Sequence, residues 1–93
     1  MNAEVLELSN AGKRKEAETK AKKVLALAEK KLGQHPETAT ALNNLASLYQ
    51  DDDRFKEAES LYKRALEIDE KALGPSDPST AVDLNNLGVL YLD

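Results

Sequence analysis

The chain has 93 residues, enough for one small domain, and its 17 acidic and 13 basic side chains give a net charge of −4. This charge is too small to indicate a protein that binds polyanions, and the lack of cysteine excludes disulfides and thiolate metal sites. The N-terminus lacks the basic flank and apolar run of a signal peptide, and no apolar run approaches the roughly 18 residues of a membrane span, so a soluble, cytoplasmic protein is the expectation.

The N-terminal third predicts the end of one helix followed by a complete second helix. Residues 2–11 match only the later part of a first helix, Gly12 supplies the turn, and residues 15–33 form the second helix. Residues 13–31 hold eight Lys and Arg and three Glu, a net charge of +5. A basic helix can indicate nucleic-acid binding, but no aromatic residue is interleaved, so this run is interpreted as a solvated outer face.

The next predicted helix runs from about Glu37 to Gln50 and is amphipathic. One face of its helical wheel is apolar, and the opposite face carries hydroxyl and carboxamide side chains. The apolar positions are Ala39, Leu42, Leu45, Ala46 and Tyr49. Pro36 suits the first helical position, because no helical hydrogen bond is lost there. His35, just before it, is the predicted N-cap.

A third helix is predicted from about Phe55 to Leu73, because its apolar residues recur at helical spacing. They are Phe55, Ala58, Leu61, Tyr62, Ala65, Leu66 and Leu73. Asp53 stands in the turn before this helix, and aspartate tolerates the left-handed conformation better than most residues. Gly74 ends the helix, and Asp77 is the predicted cap of the next one.

The last predicted helix, about 78–92, shows that the chain contains an internal repeat. Residues 77–91 match residues 35–49 at an offset of 42, with nine of fifteen positions identical. Residues 56–74 match residues 15–33 at an offset of 41, with ten of nineteen identical. The one-residue difference falls in a turn, where length changes are tolerated. Two helices per unit predict a solenoid-like array of helix pairs.

The stretch from "LNNLASLYQDDDRFKEAESLY" to "LNNLGVLY" resembles the tetratricopeptide repeat, in the roughly 42-residue form found in kinesin light chains and many bacterial arrays. The family's small and aromatic positions fall on Leu45, Ala46, Tyr49, Ala58, Tyr62 and Ala65, and again on Leu87, Gly88 and Tyr91. The first unit departs from this pattern, since Lys20 and Ala21 stand where the second unit has Leu61 and Tyr62.

The resemblance implies an all-α fold, an α-α superhelix of about five helices within a single domain over residues 1–93. Repeat 1 would span about 2–33, repeat 2 about 36–74, and a half repeat about 78–92. The last helix stops where the next turn and partner helix should follow, so the chain is expected to be a piece of a longer array. An unpaired apolar helix face at this end would favour weak self-association.

The sequence offers no convergent catalytic or metal site, so we expect neither an enzyme nor a cofactor. His35, the one histidine, is interpreted as a helix cap. Asp51–Asp53 lacks the spaced ligands, central glycine and terminal glutamate of a calcium loop and is interpreted as a solvated turn. Serines and carboxylates are scattered without a phosphate-binding glycine loop, and the tyrosines fall on core stripes. Nucleic acid and membranes are not expected partners.

Each unit carries two adjacent asparagines on the polar face of its first helix, although asparagine is a mediocre helix former. The resemblance implies that this face lines a concave groove that binds peptides or protein segments. The groove residues predicted in this way are Leu6, Thr40, Asn43, Asn44, Ser47, Gln50, Val82, Asn85, Asn86, Val89 and Leu92. A carboxamide has both donors and an acceptor, which suits the backbone of an extended peptide.

Two alternatives stay open at this point. One asparagine of each pair could bridge to the neighbouring helix; Asn43 and Asn85 are expected to face the ligand, whereas Asn44 and Asn86 lie nearer the edge of the polar arc. The chain could instead be a structural spacer or self-association segment of a longer array. Some tetratricopeptide domains hold a C-terminal carboxylate with paired basic residues, and Val82 and Asn86 occupy those positions here, so that clamp is not expected.

Overall fold

The computed structural model describes the backbone of residues 3–92 and the side chains of residues 13–92. These residues form four α-helices and no strand: α1 (Ala3–Leu32), α2 (Pro36–Asp51), α3 (Phe55–Leu73) and α4 (Pro78–Leu92). The predicted all-α fold class is confirmed. No helix in this part of the chain is long and apolar enough to cross a membrane.

The helix count differs by one from the sequence prediction, because α1 is continuous through Gly12. A single glycine destabilises a helix interior by only about 1 kcal/mol relative to alanine. Ala11 before it and Lys13 after it are good helix formers, and no proline interrupts the segment. The expected turn at Gly12 is therefore replaced by helix.

The predicted ends of the other helices are confirmed by local geometry. His35 caps α2, and its Nδ1 accepts a hydrogen bond from the backbone N–H of Glu37 at 3.1 Å. Asp77 caps α4 in the same way, accepting from the backbone N–H of Ser79 at 2.8 Å. Asp53 adopts a φ of 60° between α2 and α3, the left-handed conformation expected of it.

The helices pack in chain order, with α2 against both α1 and α3, and α4 against α3. The buried apolar core runs along these contacts and consists of Leu25, Ala39, Ala41, Leu42, Leu45, Ala46, Tyr49, Ala58, Tyr62, Ala65, Ile68, Leu87 and Leu90. Several of these residues are alanines, which allow neighbouring helix axes to come close together. Phe55 and Leu73 were predicted on the core stripe, but at the ends of α3 they are partly exposed.

Arg54 joins three helices at one edge of this core. Its guanidinium lies 4.1 Å from the ring centroid of Tyr49 on α2. It also donates to Glu18 on α1 at 2.8 Å and to Glu57 on α3. A planar guanidinium can stack on a ring and form ion pairs at the same time, so this side chain ties α1 and α2 to the start of α3.

Candidate functional site

A cleft of about 470 Å³ lies between α2 and α4, with α3 behind it. The residues that line it are Pro36, Glu37, Thr40, Asn43, Asn44 and Ser47 from α2, Tyr62 and Asp69 from α3, and Ser79, Val82, Asp83 and Asn86 from α4. The α2 contribution follows from helical periodicity, because residues spaced three, four and seven apart share one face.

Six of the residues predicted for the groove line this cleft: Thr40, Asn43, Asn44, Ser47, Val82 and Asn86. The others do not. Gln50 accepts a hydrogen bond from the Tyr62 hydroxyl at 2.9 Å. Asn85, Val89 and Leu92 are exposed on α4 but lie outside the cleft lining. Leu6 lies outside the residues whose side chains the structure describes.

Asn43 is the asparagine that bridges two helices. Its Nδ2 donates a hydrogen bond to Oδ1 of Asp83 at 2.7 Å and so joins α2 to α4. The side chain is half-buried, and its Oδ1 accepts no hydrogen bond from any described residue. Asn44, by contrast, is exposed within the cleft. The two members of this pair therefore differ in environment: Asn43 is hydrogen-bonded to a neighbouring helix, whereas Asn44 is exposed in the cleft.

Two buried aspartates, Asp69 and Asp83, line the back of the cleft and were not predicted from the sequence. Their side chains are 3% and 1% exposed. Burial, a hydrogen bond between the two carboxyls and the charges of Asp83 and Asp77 raise the pKa of Asp69 to about 7. Like charges disfavour joint ionisation, which is one reason why Asp69 binds a proton more readily than an ordinary aspartate.

The sequence did not distinguish this pair from surface acids. At the repeat offsets, Asp69 and Asp83 correspond to Ala28 and Ala41 of the other unit. The same comparison matches Glu67 with Ala26, and Glu67 is exposed. An acid in place of alanine therefore does not by itself indicate a buried position.

The cleft is acidic and rich in hydrogen-bond acceptors. Glu37, Asp69 and Asp83 line it, and no basic side chain of the described residues does. Tyr62 forms part of the back wall, and burial raises the pKa of its phenol. Within the described residues, no group of three or more potential ligands could hold a metal ion. The cleft therefore offers hydrogen bonds from amides and hydroxyls together with apolar contacts from Pro36 and Val82.

The sequence profile of the tetratricopeptide repeat matches residues 8–71 and, in an overlapping register, residues 37–93. The chain belongs to the tetratricopeptide-repeat family. Tetratricopeptide repeats are generally protein–protein interaction modules, and proteins built from them are typically non-enzymatic scaffolds. No curated protein shows significant similarity to this chain. The fold and family thus agree on a helical-repeat interaction module, and the cleft between α2 and α4 is its candidate surface.

Proposed function

We propose that this chain is a protein-interaction scaffold, not an enzyme, and that it binds an extended segment of a partner protein in the cleft between α2 and α4. The observation that supports the proposal is that six of the residues predicted for the groove line one cleft together with polar side chains from three helices. Such a cleft offers hydrogen bonds to a peptide backbone without requiring a particular side-chain sequence.

The ligand should present its backbone to Asn44 and Asn86. Asn44 is exposed and Asn86 half-exposed, so both carboxamides can reach a bound strand. Thr40 is less available, because its hydroxyl donates to the carbonyl of Pro36 at 3.2 Å. Val82 is more than half exposed and provides an apolar contact for one ligand side chain.

The charge of the cleft restricts the ligand further. Glu37 lies at one end and the buried aspartates at the back, and no described lining residue is basic to offset them. A free C-terminal carboxylate or an acidic segment would be repelled. We therefore infer a neutral or basic segment with an apolar anchor.

We also propose that residues 1–93 form a single tetratricopeptide-repeat domain within a longer array of repeats. Its repeats lie at about 2–33 and 36–74, with a half repeat at about 78–92. A cytoplasmic location and the absence of a cofactor stay predictions. Binding by this unit alone should be modest, because ordering a flexible peptide opposes association.

A displayed library of random linear peptides tests the cleft directly. Peptides selected on the wild-type chain are synthesised and titrated by fluorescence anisotropy against Asn44→Ala/Asn86→Ala. Loss of two hydrogen bonds worth about 0.5–1.5 kcal/mol each should weaken binding roughly tenfold or more. Circular dichroism checks that helical content is unchanged.

Gln34→Ala is the matched control, since Gln34 is an exposed carboxamide outside the cleft. It should leave peptide affinity unchanged. The proposal fails if the selected peptides bind the asparagine double variant as tightly as the wild type, or if Gln34→Ala weakens them equally.

A further inference from the structure

The outer face of α4 exposes residues whose counterparts in the sister repeat are buried. Leu84 is 53% exposed, whereas Leu42, its counterpart on α2, is fully buried. Tyr91 is 61% exposed, whereas Tyr49 is 8% exposed. Among the described residues, α2 packs against α1 before it and α3 after it, whereas α4 packs against α3 before it and no described helix follows it. By analogy with α2, the helix that fits this exposed face of α4 is one that resembles α3.

A second uncovered apolar face lies on α1, whose sequence matches that of α3 at an offset of 41. Val24 and Leu27 are 56% and 54% exposed on α1. Their counterparts on α3, Ala65 and Ile68, are 0% and 3% exposed. α3 packs between α2 and α4, whereas the described part of α1 packs along α2 and also forms an ion pair with α3, between Glu29 and Arg64. Within the described residues, no α2-like helix precedes α1 and covers this face.

We propose that α4 of one copy packs against α1 of a second copy, head to tail, and so reproduces the packing of α2 against α3. Among the described helices, α4 is the α2-like helix that no α3-like helix follows, and α1 is the α3-like helix that no α2-like helix precedes. A single contact between two copies of the 93-residue chain covers both faces, which in a longer array the neighbouring repeats would take up in the same way. A symmetric contact between two α4 helices would cover Leu84 and Tyr91 but leave Val24 and Leu27 exposed. The proposal does not use the peptide cleft.

Charge favours this arrangement. Residues 13–31 carry a net charge of +5, so two α1 helices would repel each other. α4 carries one acid, the buried Asp83, and no base, so it does not repel α1. Contacts of this type are heterologous and continue from copy to copy unless a ring closes. Assembly should therefore grow with concentration instead of stopping at a dimer.

Two variants test this head-to-tail packing. Each blocks one of the two contact faces, on α4 or on α1, and leaves the other face intact. Leu84→Glu places a charge on the α4 face, and Leu27→Glu places one on the α1 face. In sedimentation velocity each variant alone should be monomeric at concentrations where the wild type associates. An equimolar mixture should form a 1:1 complex through the two intact faces, and circular dichroism should show both variants folded.

Leu73→Glu is the control. Leu73 on α3 and its counterpart Leu32 on α1 are exposed to similar extents, 39% and 44%, so comparison of the two units predicts no helix packed over Leu73. This variant should associate like the wild type. The proposal is overturned by a wild type that stays monomeric up to its solubility limit, or by association that Leu73→Glu also abolishes. It is equally overturned if Leu27→Glu still self-associates, which would indicate symmetric pairing through α4, or if the two blocked variants fail to combine.

Discussion

At the scale of single residues, Asn43, Asp69 and Asp83 form a polar link across three helices beside the cleft. Asn43 of α2 donates to Asp83 of α4, and the neighbouring Asp83 carboxyl, after burial itself, helps to raise the pKa of Asp69 on α3. A buried carboxyl is tolerated when it is neutral or fully hydrogen-bonded. Because the pKa of Asp69 is about 7, this side chain is largely neutral under mildly acidic conditions.

The free energy of unfolding should fall as the pH rises from about 5 to about 8. Asp69 has a pKa of about 7 in the folded chain, against an ordinary value of 3.8. Between these values the folded state holds a proton that the unfolded state has lost, so stability decreases with rising pH up to about 7 and then levels off. Denaturant unfolding at both pH values should differ by roughly 1–3 kcal/mol, since one pKa unit corresponds to about 1.4 kcal/mol.

Asp69→Asn identifies the source of this effect. The amide cannot ionise but can donate to Asp83 as the protonated acid does, so the variant should be at least as stable as the wild type at pH 8 and show a flatter pH profile. Glu37→Gln, at an exposed acid of the same cleft, should keep the wild-type profile. An unchanged slope in Asp69→Asn would mean that another group is responsible.

At the scale of elements, the turn between α2 and α3 sets how these two helices meet. The backbone N–H of Arg54 donates to the carbonyl of Tyr49 at 2.8 Å, and that of Asp53 to the carbonyl of Gln50 at 3.1 Å. The bond from Arg54 depends on the left-handed conformation of Asp53, whose φ is 60°, because this conformation turns the next N–H back toward the helix end. A side chain with Cβ is strained there, although aspartate less than most.

Glycine and valine at position 53 should therefore shift the free energy of unfolding in opposite directions. Asp53→Gly removes the steric strain and should leave the free energy of unfolding unchanged or raise it by up to about 1 kcal/mol. Asp53→Val adds a branched side chain at positive φ and should lower it by about 1–2 kcal/mol. Thermal unfolding followed by circular dichroism measures both.

Asp52→Gly is the matched control, since the neighbouring Asp52 has a φ of −97°. Glycine gains nothing at that angle and adds freedom to the unfolded chain, so this variant should be less stable than the wild type. If glycine stabilised both positions alike, strain at Asp53 would not be the cause.

At the scale of the whole molecule, packing is uneven along the chain. α2 is covered on both sides by α1 and α3. In the first unit Ala21 is half-buried where the second unit buries Tyr62, and Lys20 is exposed where Leu61 is half-buried. In repeat proteins stability is approximately a sum of unit and neighbour contributions, so α1 should open more readily than the α2–α3 pair.

Amide hydrogen exchange should show this gradient. Protection should be highest around Leu45–Leu66 and lower over residues 2–30, because burying one large side chain is worth about 1.5–3 kcal/mol. Tyr62→Ala makes the second unit resemble the first and should reduce its protection toward that of α1. Equal protection of both regions in the wild type would contradict the packing argument.

The sequence by itself determined the ends of α2, α3 and α4, the repeat and the family. These helix ends are local features: a histidine or aspartate before proline caps a helix, and a glycine or aspartate supplies a left-handed turn wherever the chain folds. The cleft-facing surface of α2 was also predictable, because Thr40, Asn43, Asn44 and Ser47 share a face at helical spacing whatever packs around them.

Only the tertiary structure decided which polar residues are held within the fold and which are exposed in the cleft. Asn43 and Asn44 are the same residue type, and they differ because the Asn43 amide donates to Asp83, forty residues away in sequence, at 2.7 Å. Asp69 and Asp83 read as ordinary helix-surface acids until α3 packs on α4 and removes both from water. α1 runs through Gly12 because one glycine destabilises a helix interior by only about 1 kcal/mol, so glycine alone did not decide whether the chain turns there. Helical periodicity indicates which residues share a helix face, but it does not indicate which helix faces pack against each other.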